Sequence, residues 1–133
     1  LRLDQKDISA RTLIQLKKLY NNRIKTGALP SYDAFVKPVL IGISRNDGLS
    51  FLNGVLDCAR QLVKARPDTD AVRLLTRLAR GYATWLELPL LNPNQDPYGL
   101  AADLQAAGQN PDATQACAKL LKLVELLKSF RKS

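Results

Sequence analysis

The stretch "FVKPVLIGISRNDGLSFLNGVLDCARQLVKARP", residues 35–67, determines how this chain folds. Its first nine residues are apolar apart from one Lys and one Pro, so a buried strand, a membrane segment or a helix would each suit them. The uncharged run 38–44 is far shorter than the roughly 20 residues of a membrane helix. Further on, apolar residues recur at helical spacing and not at every second position. They are Leu52, Val55, Leu56, Ala59, Leu62 and Val63. The stretch therefore predicts two helices that meet at a corner.

Local signals set the bounds of these two helices. Ser31 is a candidate cap for the first helix, and Pro38 should bend or interrupt that helix because it lacks an amide donor. The corner is expected at Gly48, and the second helix should stop before Pro67, which disfavours helical geometry in the preceding residue. The candidate caps of the second helix are Asn46, Asp47 and Ser50.

The chain on either side of this stretch has the same helical period. A first helix is expected from about Asp4 or Asp7 to Lys25, ended by Gly27. Another is expected to begin at Asp68 or Thr69 and to end at Pro89. Both carry an apolar face that a neighbouring helix would have to cover.

The C-terminal third predicts a loop and two more helices. Residues 89–99 hold three of the seven prolines, which indicates an irregular loop. A short helix is expected over 100–107, closed by Gly108. The last helix should open with Asn110 as its cap and Pro111 at its first helical position.

Length and composition allow one hydrophobic core. The chain has 133 residues, of which 46% are hydrophobic and 24% charged, as is usual for globular proteins. No pair of strands or Asn-Gly hairpin is evident. We therefore predict that residues 1–133 form a single all-α domain, a compact bundle of five to six helices. The opening "LRLDQKDISAR" carries charges of both signs, unlike a secretory signal, so a cytoplasmic protein is expected.

Catalysis is the least expected class of function. The chain has no histidine, the commonest general base. Cys58 and Cys117 lack the spacing of metal ligands and are expected to be small buried hydrophobes. Neither a phosphate-binding glycine loop nor a Gly-x-Ser-x-Gly elbow is present. The acids Asp33, Asp68, Asp70 and Asp112 are expected at helix starts, where the helix dipole favours them. We therefore predict no enzymatic activity, no metal and no cofactor.

The positive charge is more informative, because the net charge is +8. Seven basic and two acidic groups lie in residues 1–26, and five basic and two acidic groups lie in residues 111–133. Basic and amide side chains recur at helical spacing in three places. The first stripe is Arg11, Gln15, Lys18, Asn22 and Lys25; the second stripe is Arg73, Arg77 and Arg80; the lysine pair is Lys119 and Lys122.

No acid interrupts these sets along their own helices. A single stripe is typical of a solvated helix face, but three of them, with acids confined mainly to caps and loops, favour a surface that binds a polyanion. The aromatic residues are few and mostly at core positions, and helix-turn-helix spacing is absent, so backbone contact is expected rather than base reading. The predicted nucleic-acid-binding residues are Arg11, Lys18, Asn22, Lys25, Arg73, Arg77, Arg80, Lys119 and Lys122.

Residues 37–56, "KPVLIGISRNDGLSFLNGVL", also resemble the small subunits of type III CRISPR effector complexes. In that family an aliphatic helix end with a proline is followed by an Asn-Gly-Leu corner and a helix rich in Leu and Phe. The matching positions are Pro38, Leu40, Ile41, Asn46, Gly48, Leu49, Phe51 and Leu52. Related helical small subunits occur in type I complexes, so the resemblance extends to class 1 effectors in general.

The resemblance implies a non-catalytic subunit of an antiviral ribonucleoprotein. Such a subunit is present in several copies, packs head to tail beside other effector subunits, and contacts the backbone of target RNA or DNA held next to the guide RNA. The main alternative is an all-α adaptor that binds an acidic protein through the same charges. A chaperone-like or toxin-antitoxin helical module is also left open, and no membrane partner is expected.

Overall fold

A computed structural model describes residues 3–23, 29–45, 47–85 and 100–129. Within these ranges it contains seven helices and no strand, so the prediction of an all-α bundle is confirmed. The helices are α1 (Leu3–Arg23), α2 (Tyr32–Phe35), α3 (Lys37–Ser44), α4 (Gly48–Ala65), α5 (Thr69–Trp85), α6 (Leu100–Gly108) and α7 (Ala113–Ser129). The predicted ends at Lys25, Gly27 and Pro89, the candidate cap Asn46 and the predicted loop 89–99 lie outside the described residues.

The helix that was expected to bend at Pro38 is two separate helices, which accounts for seven helices where five to six were predicted. Ser31 caps α2 as expected, its hydroxyl accepting from the amide of Ala34 at 3.4 Å. The break falls at Val36, and Pro38 lies in the first turn of α3. A proline is tolerated there because a first-turn amide has no helical partner to lose.

The corner before α4 is closed by Asp47. Its carboxylate accepts from the amides of Leu49 and Ser50, at 3.1 Å and 3.3 Å, and from the Ser50 hydroxyl at 2.7 Å. These bonds, led by the one from the Ser50 hydroxyl, lower the pKa of Asp47. The helix that follows ends at Ala65, before Pro67, as predicted.

Two glycines allow α3 and α4 to pack backbone against backbone. A Cβ atom on Gly42 would lie 2.3 Å from the amide nitrogen of Phe51, and one on Gly54 would lie 2.7 Å from the carbonyl oxygen of Pro38. Neither neighbour is the end of a flexible side chain that could move aside. The close approach of α3 and α4 therefore depends on both glycines.

The central helix is α5, which packs against α1, α4 and α7, while α6 packs mainly against α7. One hydrophobic cluster takes residues from all seven helices, including the fully buried Leu74, Leu75 and Leu78 of α5. Tyr82 of α5 is also buried, and its hydroxyl donates to the side-chain oxygen of Asn53 in α4 at 2.6 Å. Burial on three sides leaves α5 only a narrow exposed face.

The start of α5 was predicted correctly and the start of α7 was not. Asp68 caps α5 by accepting from the amide of Ala71 at 3.0 Å. For α7 the expectation of Asn110 as cap and Pro111 as first helical residue is wrong, because the helix begins at Ala113. Asp112 accepts from the amides of Thr114 and Gln115, at 2.9 Å and 3.3 Å. The Asn110 side chain instead accepts from the Asp112 amide at 2.9 Å and so holds the turn that leads into the helix.

Candidate nucleic-acid interface

The second stripe forms the exposed face of α5. The exposed residues of this helix are Thr69, Arg73, Arg77, Arg80 and Thr84, and the rest are buried or half-buried. The spacing of four, four, three and four residues keeps them on one line along the helix. The remaining sides of α5 are covered by α1, α4 and α7. On the exposed line, every charged side chain is an arginine.

The first stripe lies along the edge of α1. Arg11, Lys18 and Asn22 are exposed and Gln15 is half-buried, next to the buried face of α1. The Asn22 side-chain nitrogen is 3.4 Å from a carboxylate oxygen of Asp70, in the first turn of α5. This edge of α1 therefore faces α5. The last member of the first stripe, Lys25, lies outside the described residues.

The two stripes run side by side. The C-terminal end of α1 meets the N-terminal end of α5 at the Asn22–Asp70 contact, and the two helices pack together, so we infer that they are antiparallel. Arg11 lies eleven residues before this contact on α1, and Arg80 lies ten residues after it on α5. At 1.5 Å per residue both are about 15–17 Å from it, and hence at the same level. We call the resulting surface the α1–α5 groove, lined by Arg11, Lys18, Arg73, Arg77 and Arg80.

One acid, Asp70, lies at the end of the α1–α5 groove. Besides its contact with Asn22, its carboxylate is 3.7 Å from the guanidinium of Arg73. Neither stripe contains an acid, but the surface that the two stripes form together does. Two predicted binding residues, Asn22 and Arg73, therefore already have an acidic neighbour. Among described residues, no carboxylate pairs with Lys18, Arg77 or Arg80, which are exposed. The positive charges of Lys18, Arg77 and Arg80, which have no described carboxylate partner, therefore lie away from Asp70.

Arg23, one of the seven basic groups in residues 1–26, is buried. Its side chain is 1% exposed, and its Nε donates to the carbonyl of Leu62 at 3.0 Å. The other guanidinium nitrogens donate to the carbonyls of Leu19 and Arg66, at 3.2 Å and 2.6 Å, and to the carboxylate of Asp68 at 3.0 Å. Arg23 thus joins the end of α1 to the α4–α5 turn and contributes nothing to a surface for a polyanion.

A signal for the burial of Arg23 was present in the sequence. It follows Leu16, Leu19 and Tyr20 by seven, four and three residues, so it lies on the apolar face of α1. Its partner Asp68 is partly buried, which acts to raise the pKa of that carboxyl. The pKa is nevertheless lowered, because the Ala71 amide and the Arg23 guanidinium both stabilise the carboxylate.

The lysine pair is not brought into the α1–α5 groove by any described hydrogen bond or ion pair. Lys119 and Lys122 are exposed on α7, which packs on α5 and α6 and has no extensive described contact with α1. Glu125, three residues after Lys122 on α7, forms an ion pair with Arg60 of α4. The predicted binding residues therefore divide into a set that lines the groove and a separate pair on α7.

Both cysteines are buried free thiols, as predicted. Burial raises the pKa of Cys58 and of Cys117 to about 11, so neither is a ready nucleophile at neutral pH. Within residues 3–23, 29–45, 47–85 and 100–129, no group of three or more His, Cys, Asp or Glu residues could hold a metal ion. None of the described helices is both long and apolar enough to cross a membrane.

Comparison with protein-family models, curated proteins and solved structures finds no match to the chain. The resemblance of residues 37–56 to CRISPR small subunits therefore stays a prediction from the sequence.

Proposed function

We propose that the protein binds the phosphate backbone of single-stranded RNA or DNA in the α1–α5 groove. The observation that carries the proposal is the exposed line of α5, where Arg73, Arg77 and Arg80 are the only charged residues and Lys18 of α1 lies on the facing edge. Arginine and lysine neutralise phosphates and release counterions, which gives affinity without dependence on sequence.

The described surface favours backbone contact over base reading. Tyr20 and Tyr82 are buried, and Tyr32 and Trp85 are half-buried, so the described part of the chain presents no fully exposed aromatic ring on which a base could stack. Specificity for sequence would then come from another component, such as a guide strand that pairs with the target.

The biological role that we propose is a non-catalytic small subunit of a class 1 CRISPR effector complex, with target RNA or DNA in the groove. Its support is the resemblance of residues 37–56 together with the all-α fold and the basic groove. A subunit of this kind should co-purify with RNA from its native host after mild lysis, with a 260 to 280 nm absorbance ratio above that of protein alone. Recovery with a single acidic protein and no nucleic acid would instead favour the adaptor.

A matched pair of variants tests the groove. Changing Arg77 and Arg80 to Ala should weaken binding to any single-stranded oligonucleotide by a similar factor, because phosphate contacts are lost. The slope of log affinity against log salt should fall by about 0.7 for each contact, hence by about 1.4 in total. Changing Lys64 and Lys128 to Ala, exposed on α4 and α7, removes the same charge elsewhere.

The comparison of the two variants decides the outcome. We expect the Lys64 and Lys128 variant to keep most of the parental slope. If the two variants lower the slope equally, net charge alone explains binding and the groove is wrong. If neither changes binding, or if the parent does not bind nucleic acid, the proposed function is wrong.

A further inference from the structure

Asp70 lies at one end of the α1–α5 groove and contacts a side chain from each wall. The Asn22 side-chain nitrogen of α1 is 3.4 Å from its carboxylate, and the Arg73 guanidinium of α5 is 3.7 Å from it. The side chains of Arg73 and Asp70 are 67% and 38% exposed, so a ligand in the groove can reach both. Two of the predicted nucleic-acid-binding residues therefore already share an anionic neighbour.

The charge of Asp70 acts mainly on the nearest arginine. Arg73, Arg77 and Arg80 follow it on α5 by three, seven and ten residues. At 1.5 Å per residue these steps are about 4.5 Å, 10 Å and 15 Å along the helix axis. Charges in solvent are largely screened from each other beyond about 10 Å at 0.1 M salt. Asp70 therefore opposes the charge of Arg73, whereas Arg77 and Arg80 lie at or beyond the screening distance.

A phosphate that reaches Arg73 must share its guanidinium with Asp70. An exposed ion pair between residues three apart on a helix is weak, so the pair by itself does not exclude the phosphate. The carboxylate nevertheless repels the phosphate. It also leaves less net positive charge at Arg73 to neutralise the phosphate and release its counterions. Arg73 should therefore contribute less to affinity, and less to the salt dependence of binding, than Arg77.

The position of Asp70 in the first turn of α5 has a second explanation. The helix dipole favours a negative charge there, and this stabilises the fold whether or not the groove binds a ligand. The cap of this helix comes from another acid, Asp68, through the Ala71 amide. The dipole does not require Asp70 to contact Asn22 on a different helix. A role in stability and a role in binding can therefore both be present, and a test must separate them.

We propose that Asp70 sets one end of the nucleic-acid-binding site, an inference that rests on the proposed function of the groove. Its carboxylate competes with phosphate for Arg73 and Asn22, so a bound strand is held chiefly beside Arg77 and Arg80. Asp70 is a positioning residue that acts through Arg73. Removing its charge extends the site by one phosphate contact and strengthens binding.

Asp70→Asn tests this role with a single-stranded oligothymidylate of about 16 nucleotides, the upper end of common site sizes. Affinity should rise several-fold, and the slope of log affinity against log salt should steepen by up to about 0.7, because Arg73 gains a phosphate contact. Asp57→Asn is the matched control. Asp57 forms an ion pair with Arg60 on α4, also three residues apart and at 3.5 Å. It removes the same charge away from the groove and should leave the slope unchanged.

A double-mutant cycle separates binding from stability. In the parent, Arg73→Ala should reduce the salt slope less than Arg77→Ala does. In the Asp70→Asn background, Arg73→Ala should reduce it by about 0.7, as much as Arg77→Ala. Thermal unfolding checks that each variant is folded. A purely structural Asp70 would change the unfolding temperature and leave the effect of Arg73→Ala the same in both backgrounds. The comparison in the parent needs no change at Asp70, so it decides the question even if Asp70→Asn does not fold.

The outcomes for Asp70 and for the groove are distinguishable. Equal steepening by Asp70→Asn and Asp57→Asn, or equal loss with Arg73→Ala and Arg77→Ala in the parent, would overturn the role of Asp70. The groove would still stand, provided that changing Arg77 and Arg80 together weakens binding. If the parent does not bind the oligothymidylate, or if that double variant binds it as the parent does, the proposed function is wrong and the role of Asp70 is wrong with it.

Discussion

At the scale of single residues, Arg23 determines how the end of α1 attaches to the rest of the bundle. Its guanidinium donates to the carbonyl of Leu62 in the last turn of α4 and to that of Arg66 in the α4–α5 turn, and it pairs with Asp68. A planar group with five donors can serve several acceptors at once, which an ammonium group on one nitrogen cannot. The charge is tolerated in the core because each of these acceptors is already fixed by neighbouring helices.

Arg23→Ala should destabilise the fold by about 3 kcal/mol, since it removes the hydrogen bonds of a buried guanidinium to three carbonyls and leaves Asp68 without its partner. Arg23→Lys should recover only part of this loss. Urea unfolding followed by circular dichroism measures both values. Arg77→Ala, exposed on α5, is the control and should stay within about 0.5 kcal/mol of the parent. A similar loss of stability in Arg23→Ala and in Arg77→Ala would contradict the structural role of Arg23.

Arg23→Ala should also change how the stability of the fold depends on pH. Because the folded-state pKa of Asp68 is lowered, its contribution to stability is present above the unfolded-state value of about 3.9 and is lost as the pH falls through the folded-state value. Without Arg23 the pKa of Asp68 is lowered less. Between neutral and acid pH, Arg23→Ala should therefore lose less stability than the parent protein loses.

At the scale of secondary-structure elements, two glycines set how closely α3 packs against α4. Helix pairs usually keep axes 8–10 Å apart, with side chains between them. Here Gly42 and Gly54 each remove one side chain from the interface, and the facing atoms are backbone atoms of Phe51 and Pro38. A short helix such as α3 can therefore be held firmly although it buries few of its own residues.

Gly42→Ala and Gly54→Ala should each destabilise the protein by about 2 kcal/mol or more. The added methyl group forces the two backbones apart, and overpacking of this kind costs more than the ~1 kcal/mol that Ala gains over Gly in a helix. Thermal unfolding measures the change. Gly108→Ala is the control, because a Cβ there meets nothing within 4 Å, and it should be neutral or slightly stabilising. Neutral behaviour at Gly42 and Gly54 would contradict the close approach.

At the scale of the whole molecule, positive charge is distributed over separate faces. The α1–α5 groove, the lysine pair on α7 and the exposed Lys37 and Arg45 near α3 lie on different parts of the surface. Capping acids such as Asp47, Asp68 and Asp112 are bound to backbone amides. Such a molecule repels its own copies and attracts polyanions or acidic proteins from several directions.

The protein alone should therefore be a monomer or associate weakly, and the effect of salt distinguishes the cause. If repulsion between copies with a net charge of +8 keeps them apart, association should rise with added salt as the charges are screened. Sedimentation equilibrium at low and high salt measures this. A tight symmetric dimer at micromolar concentration would contradict the prediction and would weaken the case for a subunit that assembles in open arrays.

The sequence by itself determined the helices and most of their bounds. Ser31, Asp68 and Gly108 were correctly predicted as ends because caps and the 3.6-residue period act between residues a few positions apart. The error at Asn110 and Asp112 was also local: two caps two residues apart compete, and the pattern does not rank them. The two stripes could likewise be located, because each lies on one helix.

Only the tertiary structure decided which of these surfaces meet. Asn22 reaches Asp70 across 48 positions, Arg23 reaches Asp68 across 45, and Gly54 meets the backbone of Pro38, so no short pattern contains these contacts. They depend on the order in which α1, α4 and α7 pack around α5. That packing is set by the fit of many buried side chains at once. It places the two arginine- and lysine-bearing stripes beside each other and buries Arg23.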